Sequence, residues 1–271
     1  MKKYWHVINI GIQNTLVYRV NFLMRATFSL IPLMATIYLW RAVYAGQEGG
    51  DSKGSVAGYT LGGMISYYLL ITIVDALTAV TEDDWQIAAD IREGNINQFI
   101  LKPIDYLTYR LCLFVSGRLI YVAFASLPVA LFIYSQREYW VWPPDTQTFF
   151  LFMLSLFLTA LLQFFISYTM AMLAFWLLEI STLIFIVYAF EYLAGGHLFP
   201  LDILPPSIAM ALNFTPFPYQ LFFPISLYLG RVTGAEMWWG LVIQALWVAF
   251  FYWLARWTWN RGIRRYTAFG G

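Results

Sequence analysis

Apolar runs of bilayer length alternate with short polar stretches along this chain, and the pattern has the period and extent of membrane helices. A helix needs roughly 20 apolar residues to cross a hydrocarbon core of about 30 Å. Six segments meet that requirement: 26–44, 56–80, 111–134, 149–173, 180–198 and 238–255. The fourth and fifth are separated by inference. The stretch 149–190 carries one charge, Glu179, and as one helix would run about 63 Å at roughly 1.5 Å per residue. Two crossings with a tight turn near Glu179 fit better. The pattern predicts an all-α integral membrane protein with six transmembrane helices, forming one domain over 1–271.

Ahead of the first crossing, Trp5, Ile8, Ile12 and Leu16 recur every three or four residues, with His6, Asn9 and Gln13 on other faces. That periodicity predicts an amphipathic helix over 1–20 lying in the membrane interface. The same start has the basic residues of a signal peptide but no unbroken apolar core or small-residue cleavage site, so it is expected to be retained.

Between the second and third crossings, TEDDWQIAADIREGNINQFILKP concentrates Glu82, Asp83, Asp84, Asp90, Arg92, Glu93 and Lys102 in a chain that is only 11% charged. Thr81 is placed to N-cap a helix with Asp84 three residues on, and the acidic residues at its start oppose the helix dipole. Gly94 supplies a stop. The product is a short helix of about three turns, with Trp85, Ala88 and Ile91 along one face. So short a helix is not stable alone in water. Either this edge packs on the protein's own rim, or it docks into another protein with Trp85 as anchor and the carboxylates as rim.

Between the fifth and sixth crossings, GGHLFPLDILPPSIAMALNFTPFPYQLFFPISLYLG holds six of the eleven prolines. It is too apolar for a solvated loop and too broken for a span. Backbone groups leaving a helix at membrane depth must be buried in protein or line a cavity, so two short re-entrant helices are expected within 195–231.

Charge adds orientation. With the N-terminus inside, the inner loops hold Lys2, Lys3, Arg19, Arg25, Arg92, Lys102, Arg110, Arg118, Arg256, Arg261, Arg264 and Arg265, and the outer side only Arg41, Lys53, Arg137 and Arg231. Retention of Lys and Arg in cytoplasmic loops puts both termini in the cytoplasm, with 81–110 as a cytoplasmic segment. Trp40, Tyr44, Trp140, Trp142, Trp238, Trp239, Trp257 and Trp259 fall where interfacial aromatic belts belong. A net charge of +1 with no basic stripe argues against a nucleic-acid partner. Cys112 stands alone, so there is no internal disulfide and no multi-cysteine metal site.

Catalytic motifs are missing. No G-x-x-x-x-G-K-[ST] phosphate loop occurs, so this chain is expected to bind no ATP and any motor must be a separate subunit. His6 and His197 are the two histidines, and no H-E-x-x-H is present. No catalytic residue or metal ligand is assigned. Ionisable residues within spans are costly and point to function. Asp75, in the inner half of the second span, and Glu191 and His197, toward the outer end of the fifth, are the candidates for lining a polar path. Hydrogen bonds to neighbouring helices are the alternative role.

The stretches DIREGNINQFILKPIDYLTYRL and GGHLFPLDILPP through TPFPYQLFFPISLYLG resemble the two most recognisable segments of the ABC-2 family of exporter permeases, in particular its small six-span members encoded beside a separate ATPase. The resemblance covers essentially the whole chain in span count, orientation and loop placement. It implies a permease subunit in the inner (cytoplasmic) membrane, paired with a second permease of the same or similar sequence. Two ABC ATPase subunits would carry the ATP and Mg. It also implies that the 81–93 helix couples to those subunits, through Thr81, Asp83, Asp84, Trp85, Ala88, Ile91, Arg92, Glu93 and Gly94. The scarcity of deep basic residues favours export of a lipid-like, amphipathic or cationic compound. Competing readings are an ATP-independent scramblase or channel, and a membrane-embedded enzyme using Glu191 and His197.

Overall fold

The computed structural model describes residues 2–46, 55–80, 83–100, 102–177 and 179–265. Its elements run α1 (Lys2–Leu16), α2 (Arg19–Ala45), α3 (Leu61–Thr78), α4 (Asp83–Arg92), α5 (Asn97–Ile100), α6 (Tyr106–Ser135), α7 (Thr146–Met172), α8 (Ser181–Ala194), α9 (Pro206–Asn213), α10 (Phe222–Tyr228) and α11 (Ala235–Arg265). Short 3-10 turns punctuate them at Arg137–Tyr139, Leu173–Phe175, Leu201–Ile203 and Phe217–Gln220. Five helices, α2, α3, α6, α7 with its 3-10 extension, and α11, are long and apolar enough to cross a membrane.

The remaining predicted crossing, 180–198, is corrected in length. It is realised as α8, fourteen residues, which at about 1.5 Å per residue reaches only about 21 Å. The cause lies in Gly195 and Gly196. Gly196 takes φ +93°, a conformation that side chains resist, and a Cβ there would sit 2.6 Å from the Tyr67 hydroxyl. That hydroxyl donates to the Gly196 carbonyl (2.7 Å) and the Tyr68 hydroxyl to that of Leu198 (2.8 Å), so the chain after α8 is held against the middle of α3.

α7 is the central helix. It packs on α11, α10, α3 and α4, and Ser155, Thr159, Gln163 and Ser167, each four residues after the last, put a polar stripe along its buried face. Polar side chains inside a bilayer need protein partners. Gln244 of α11, fully buried, supplies them: its amide nitrogen donates to Tyr219 O (2.8 Å), Thr159 Oγ1 (3.0 Å) and Ser155 O (3.2 Å), while its oxygen accepts from Ser155 Oγ (2.9 Å). One side chain thereby joins α11, α7 and the 3-10 turn before α10.

The proline-rich segment forms two short helices, α9 and α10, which are unequally buried. α10 is buried along nearly its whole length, whereas no residue of α9 is buried. Arg231, just beyond α10, donates to Asp202 Oδ2 (2.9 Å) and to the carbonyls of Gly58 (3.2 Å) and Ala57 (2.9 Å), and its guanidinium lies 3.7 Å from the Tyr59 ring centroid. These contacts tie the α2–α3 loop to the α8–α11 connection at one end of the bundle.

The other end gathers α1, α4, α5 and the last turns of α11. α1 packs on α6, with Val7 and Gly11 buried and the Ser116 hydroxyl donating to Ile8 O (3.1 Å). Trp5 and Ile10 are left exposed, as suits a helix with one face on protein and another on lipid. Lys3 Nζ donates to Pro103 O (2.5 Å), and Trp259 stacks on Tyr106 at 5.0 Å and 14°. Asp105 N-caps α6 through Thr108 N (2.9 Å) and receives both guanidinium nitrogens of Arg256. Burial opposes ionisation of Asp105, but Arg256 and the Thr108 donors outweigh it and hold the carboxyl below its ordinary range.

Two outcomes follow. Gln244→Leu leaves several buried polar groups without a partner and is expected to lower stability by about 1–3 kcal/mol, read as a lower thermal midpoint in detergent. For Asp105 the folded-state pKa lies below the unfolded value of about 3.9, so its stabilisation is complete above that pH and is lost as pH falls through the folded value. Asp105→Asn should therefore be less stable than the wild type at pH 7. The gap should close as pH falls below the ordinary carboxylate range and through the lower folded-state value, which thermal unfolding across pH measures.

Candidate functional site

Asp75, on the penultimate turn of α3, and His197, in the turn after α8, are brought together: His197 Nε2 lies 3.3 Å from Asp75 Oδ1. The sequence places them toward opposite sides of the membrane. They meet because α8 ends early and the chain doubles back. His197 N bonds Tyr192 O (3.2 Å), and the imidazole stacks on the Tyr192 ring at 5.1 Å and 15°. Glu191, one residue before Tyr192, faces the same cavity of about 290 Å3. All three path candidates thus share one site.

Three further side chains complete its polar wall, and sequence reasoning missed them. Gln163 Oε1, Ser167 Oγ and both amide atoms of Gln220 are buried, line this cavity and have no protein hydrogen-bond partner, and the same holds for His197 Nδ1. Gln163 and Ser167 are the lower half of the α7 stripe, whose upper half is occupied by Gln244. The four-residue spacing of Ser155, Thr159, Gln163 and Ser167 in an otherwise apolar run was the available signal. Gln220 could not be found that way. It reaches the cavity because Gln244 fixes the preceding carbonyl, that of Tyr219.

The chemistry of this wall is recognition. Two carboxyls, an imidazole, two amides, a hydroxyl and the aromatic faces of Tyr188 and Tyr192 surround the space, a set suited to polar or cationic groups carried on an apolar body. His197 pairs with Asp75 and not with Glu191, and its free nitrogen and Ser167 Oγ make no hydrogen bond to each other. No activated nucleophile is therefore assembled. Among the described residues no group of three or more His, Cys, Asp or Glu is arranged to hold a metal ion.

The charged segment forms α4 as a ten-residue helix, and Gly94 follows with φ +81°. Thr81 lies outside the described residues, as do the side chains of Asp83 and Asp84. Of the two expectations for its apolar edge, packing on the protein itself holds for Ala88 and Ile91. Ala88 is buried against Ile180 and Ile184 of the α8 region, and Ile91, with Ile87, in the cluster containing Tyr106, Phe164 and Met172. Burial removes these side chains from direct contact with a partner because residues of α6, α7 and α8 already enclose them. Trp85, Arg92 and Glu93 remain exposed. α4 is also bolted to α6: Arg110, 4% exposed, donates to Asp90 Oδ2 (2.5 Å), Tyr106 OH (3.0 Å) and Gln86 Oε1 (3.3 Å), and Tyr106 OH donates to Asp90 (2.8 Å). Ile184, in one buried cluster with Ala88 and Ile180, and Glu191 are seven residues apart and so share a face of α8. A packed route runs from α4 to the cavity.

Comparison with curated protein sequences gives no match. A sequence-family profile described as "ABC-2 family transporter protein" matches residues 30–270, from within α2 to beyond the end of α11. Its members are membrane transport components that work with an ABC ATPase, which agrees with a bundle of apolar helices around a polar cavity. On a match of that extent, this multi-pass membrane chain belongs to the ABC-2 family of transporter proteins.

Proposed function

We propose that this chain is the permease of an ATP-driven exporter in the cytoplasmic membrane, crossing it six times with both termini inside. It works as a dimer with itself or a similar chain, coupled to two separate ATPase subunits that hold ATP and Mg. α8 together with residues 195–204 makes up the short crossing, and α9 and α10 are the re-entrant helices on the outer side. The substrate is a lipid-like, amphipathic or cationic compound whose polar end meets Asp75, Glu191, His197, Gln163 and Gln220.

The observation that carries this reading is the mounting of α4. Ala88 and Ile91 of its apolar edge are sunk into the protein and Arg110–Asp90 fixes it to α6, while Trp85 of that edge, Arg92 and Glu93 remain exposed. A helix held so rigidly on one side and exposed on the other passes on a push rather than yielding to it. Closure of nucleotide-loaded ATPases against that face would shift α4 with the ends of α6, α7 and α8, and the shift reaches the cavity through Ile184 and Glu191. The bistable element is the permease dimer and the ligand that biases it is ATP. A scramblase reading gives the exposed face of α4 no partner protein to meet.

Two experiments separate the parts. Trp85→Ala with Arg92→Ala should weaken ATPase association by about tenfold or more, the scale of losing an interface anchor, seen as loss of the ATPase on affinity purification. Undiminished co-purification and transport would remove the coupling role. Asp75→Asn and His197→Ala should keep the ATPase bound yet reduce ATP-driven transport in proteoliposomes by about tenfold or more, as loss of a charge-assisted contact implies. Normal transport in both would take the cavity out of the path.

A further inference from the structure

The cavity that holds Asp75, Glu191 and His197 makes an unequal demand on whatever fills it. Gln163, Ser167 and Gln220 line it and are each more than nine-tenths buried. Gln163 Oε1, Ser167 Oγ and both amide atoms of Gln220 have no hydrogen-bond partner in the protein. A serine or threonine inside a helix commonly returns its hydroxyl to the carbonyl four residues back, as Ser116 does to Cys112 O (2.7 Å) and Thr169 to Phe165 O (2.7 Å). Ser167, two residues before Thr169, makes no such bond.

The roles of these atoms define a complementary ligand. Gln163 Oε1 and Gln220 Oε1 only accept. His197 Nε2 lies 3.3 Å from Asp75 Oδ1, so a neutral imidazole donating there leaves Nδ1, also unpartnered, as a further acceptor. Gln220 Nε2 alone of the set only donates. Because both of its amide atoms are unpartnered, Gln220 calls for a donor and an acceptor whichever way the amide is turned. Among the described residues no Lys or Arg lines the cavity, and Glu191 adds a carboxyl. A wall rich in acceptors and acidic groups is matched by a ligand rich in donors and positively charged. An ammonium brings N–H donors with the charge, and a hydroxyl can donate to Gln163 and accept from Gln220. Phosphates, carboxylates and esters bring acceptors only, and a quaternary ammonium brings charge without a donor. The volume, about 290 Å3, lies at the lower end of the roughly 300–1,000 Å3 of small-molecule pockets, which suits a headgroup with its alkyl chain outside.

We propose that this site selects hydroxylated amines, with a primary or secondary ammonium at Glu191 and neighbouring hydroxyls meeting Gln163, Ser167 and Gln220. This selectivity rests on the cavity being part of the transport path, and it narrows the substrate from cationic amphiphiles at large to those with hydroxyls beside the nitrogen. Gln163, Ser167 and Gln220 are then the specificity-determining residues. Buried groups shaped to hydrogen-bond a ligand reject an analogue that leaves them unpaired far more strongly than an apolar wall rejects a poor fit.

The test uses the full chain in phosphatidylcholine nanodiscs and three probes of equal chain length: a dodecyl amino-diol with its nitrogen between two hydroxyls, dodecylamine and dodecyltrimethylammonium. Calorimetry reads binding, with partition into empty nanodiscs subtracted. The wild type should hold the amino-diol about tenfold or more tightly than dodecylamine, the scale of one or two buried hydrogen bonds, and the trimethylammonium probe most weakly. Gln163→Met with Gln220→Met keeps the side-chain volume without the amides and should bring the ratio of the two amines close to one. Ser167→Ala, a smaller change, should narrow that ratio by about threefold or more, and it decides alone should the double variant not fold. Equal binding of the amino-diol and the trimethylammonium probe by the wild type overturns the proposal. So does a ratio unmoved by these substitutions, because the buried side chains then hold water only. ATP-driven uptake of the same probes into proteoliposomes carrying the ATPase subunits keeps selectivity and transport apart. Uptake without preference for the amino-diol overturns the selectivity and leaves the transport path standing. Selective binding without uptake upholds the selectivity and removes the cavity from the path.

Discussion

Satisfaction of polar groups inside an apolar solvent organises this molecule. α7 carries Ser155, Thr159, Gln163 and Ser167 along a single face, and in hydrocarbon none of them can turn to water. Gln244 answers the first two and takes the Tyr219 carbonyl as well, which pins α11 and the turn before α10 onto α7. The other two are left facing a cavity, where Asp75, Glu191, His197 and Gln220 join them. Scaffold and site are therefore two halves of one stripe.

The same economy governs the ends of the bundle. At the α1 end, Arg110 with Asp90 and Arg256 with Asp105 lock α4 and α11 to α6. At the opposite end Arg231, Asp202 and Tyr59 close the connection around α9 and α10 onto the α2–α3 loop. Each cation is placed where two chain segments that are distant in sequence must be held together, so few charges suffice in a chain with 61% hydrophobic residues. Rigid mounting of α4 has a functional side. In the proposed cycle, motion imposed on its exposed face would travel through the buried cluster of Ala88, Ile180 and Ile184 toward Glu191.

Sequence periodicity and length determined the five long crossings, the amphipathic first helix, the short charged helix ended by Gly94 and the broken proline-rich segment. These are local or nearly local consequences of hydropathy, glycine and proline, and they appear in the fold with boundaries shifted by up to ten residues. It also singled out Asp75, Glu191 and His197, because an ionisable group in an apolar run is conspicuous wherever it ends up.

Tertiary structure alone decided which of these groups meet. The pairing of Asp75 with His197 depends on where α8 stops and on Tyr67 and Tyr68 holding the returning chain by its carbonyls. Contacts separated by more than a hundred residues leave no periodic trace. The burial of Ala88 and Ile91 was undecidable for the same reason, since one apolar edge fits a partner or the chain's own core equally well. Amphipathicity tells a helix that it must cover a face; only the packing of α6, α7 and α8 around that face determines what covers it.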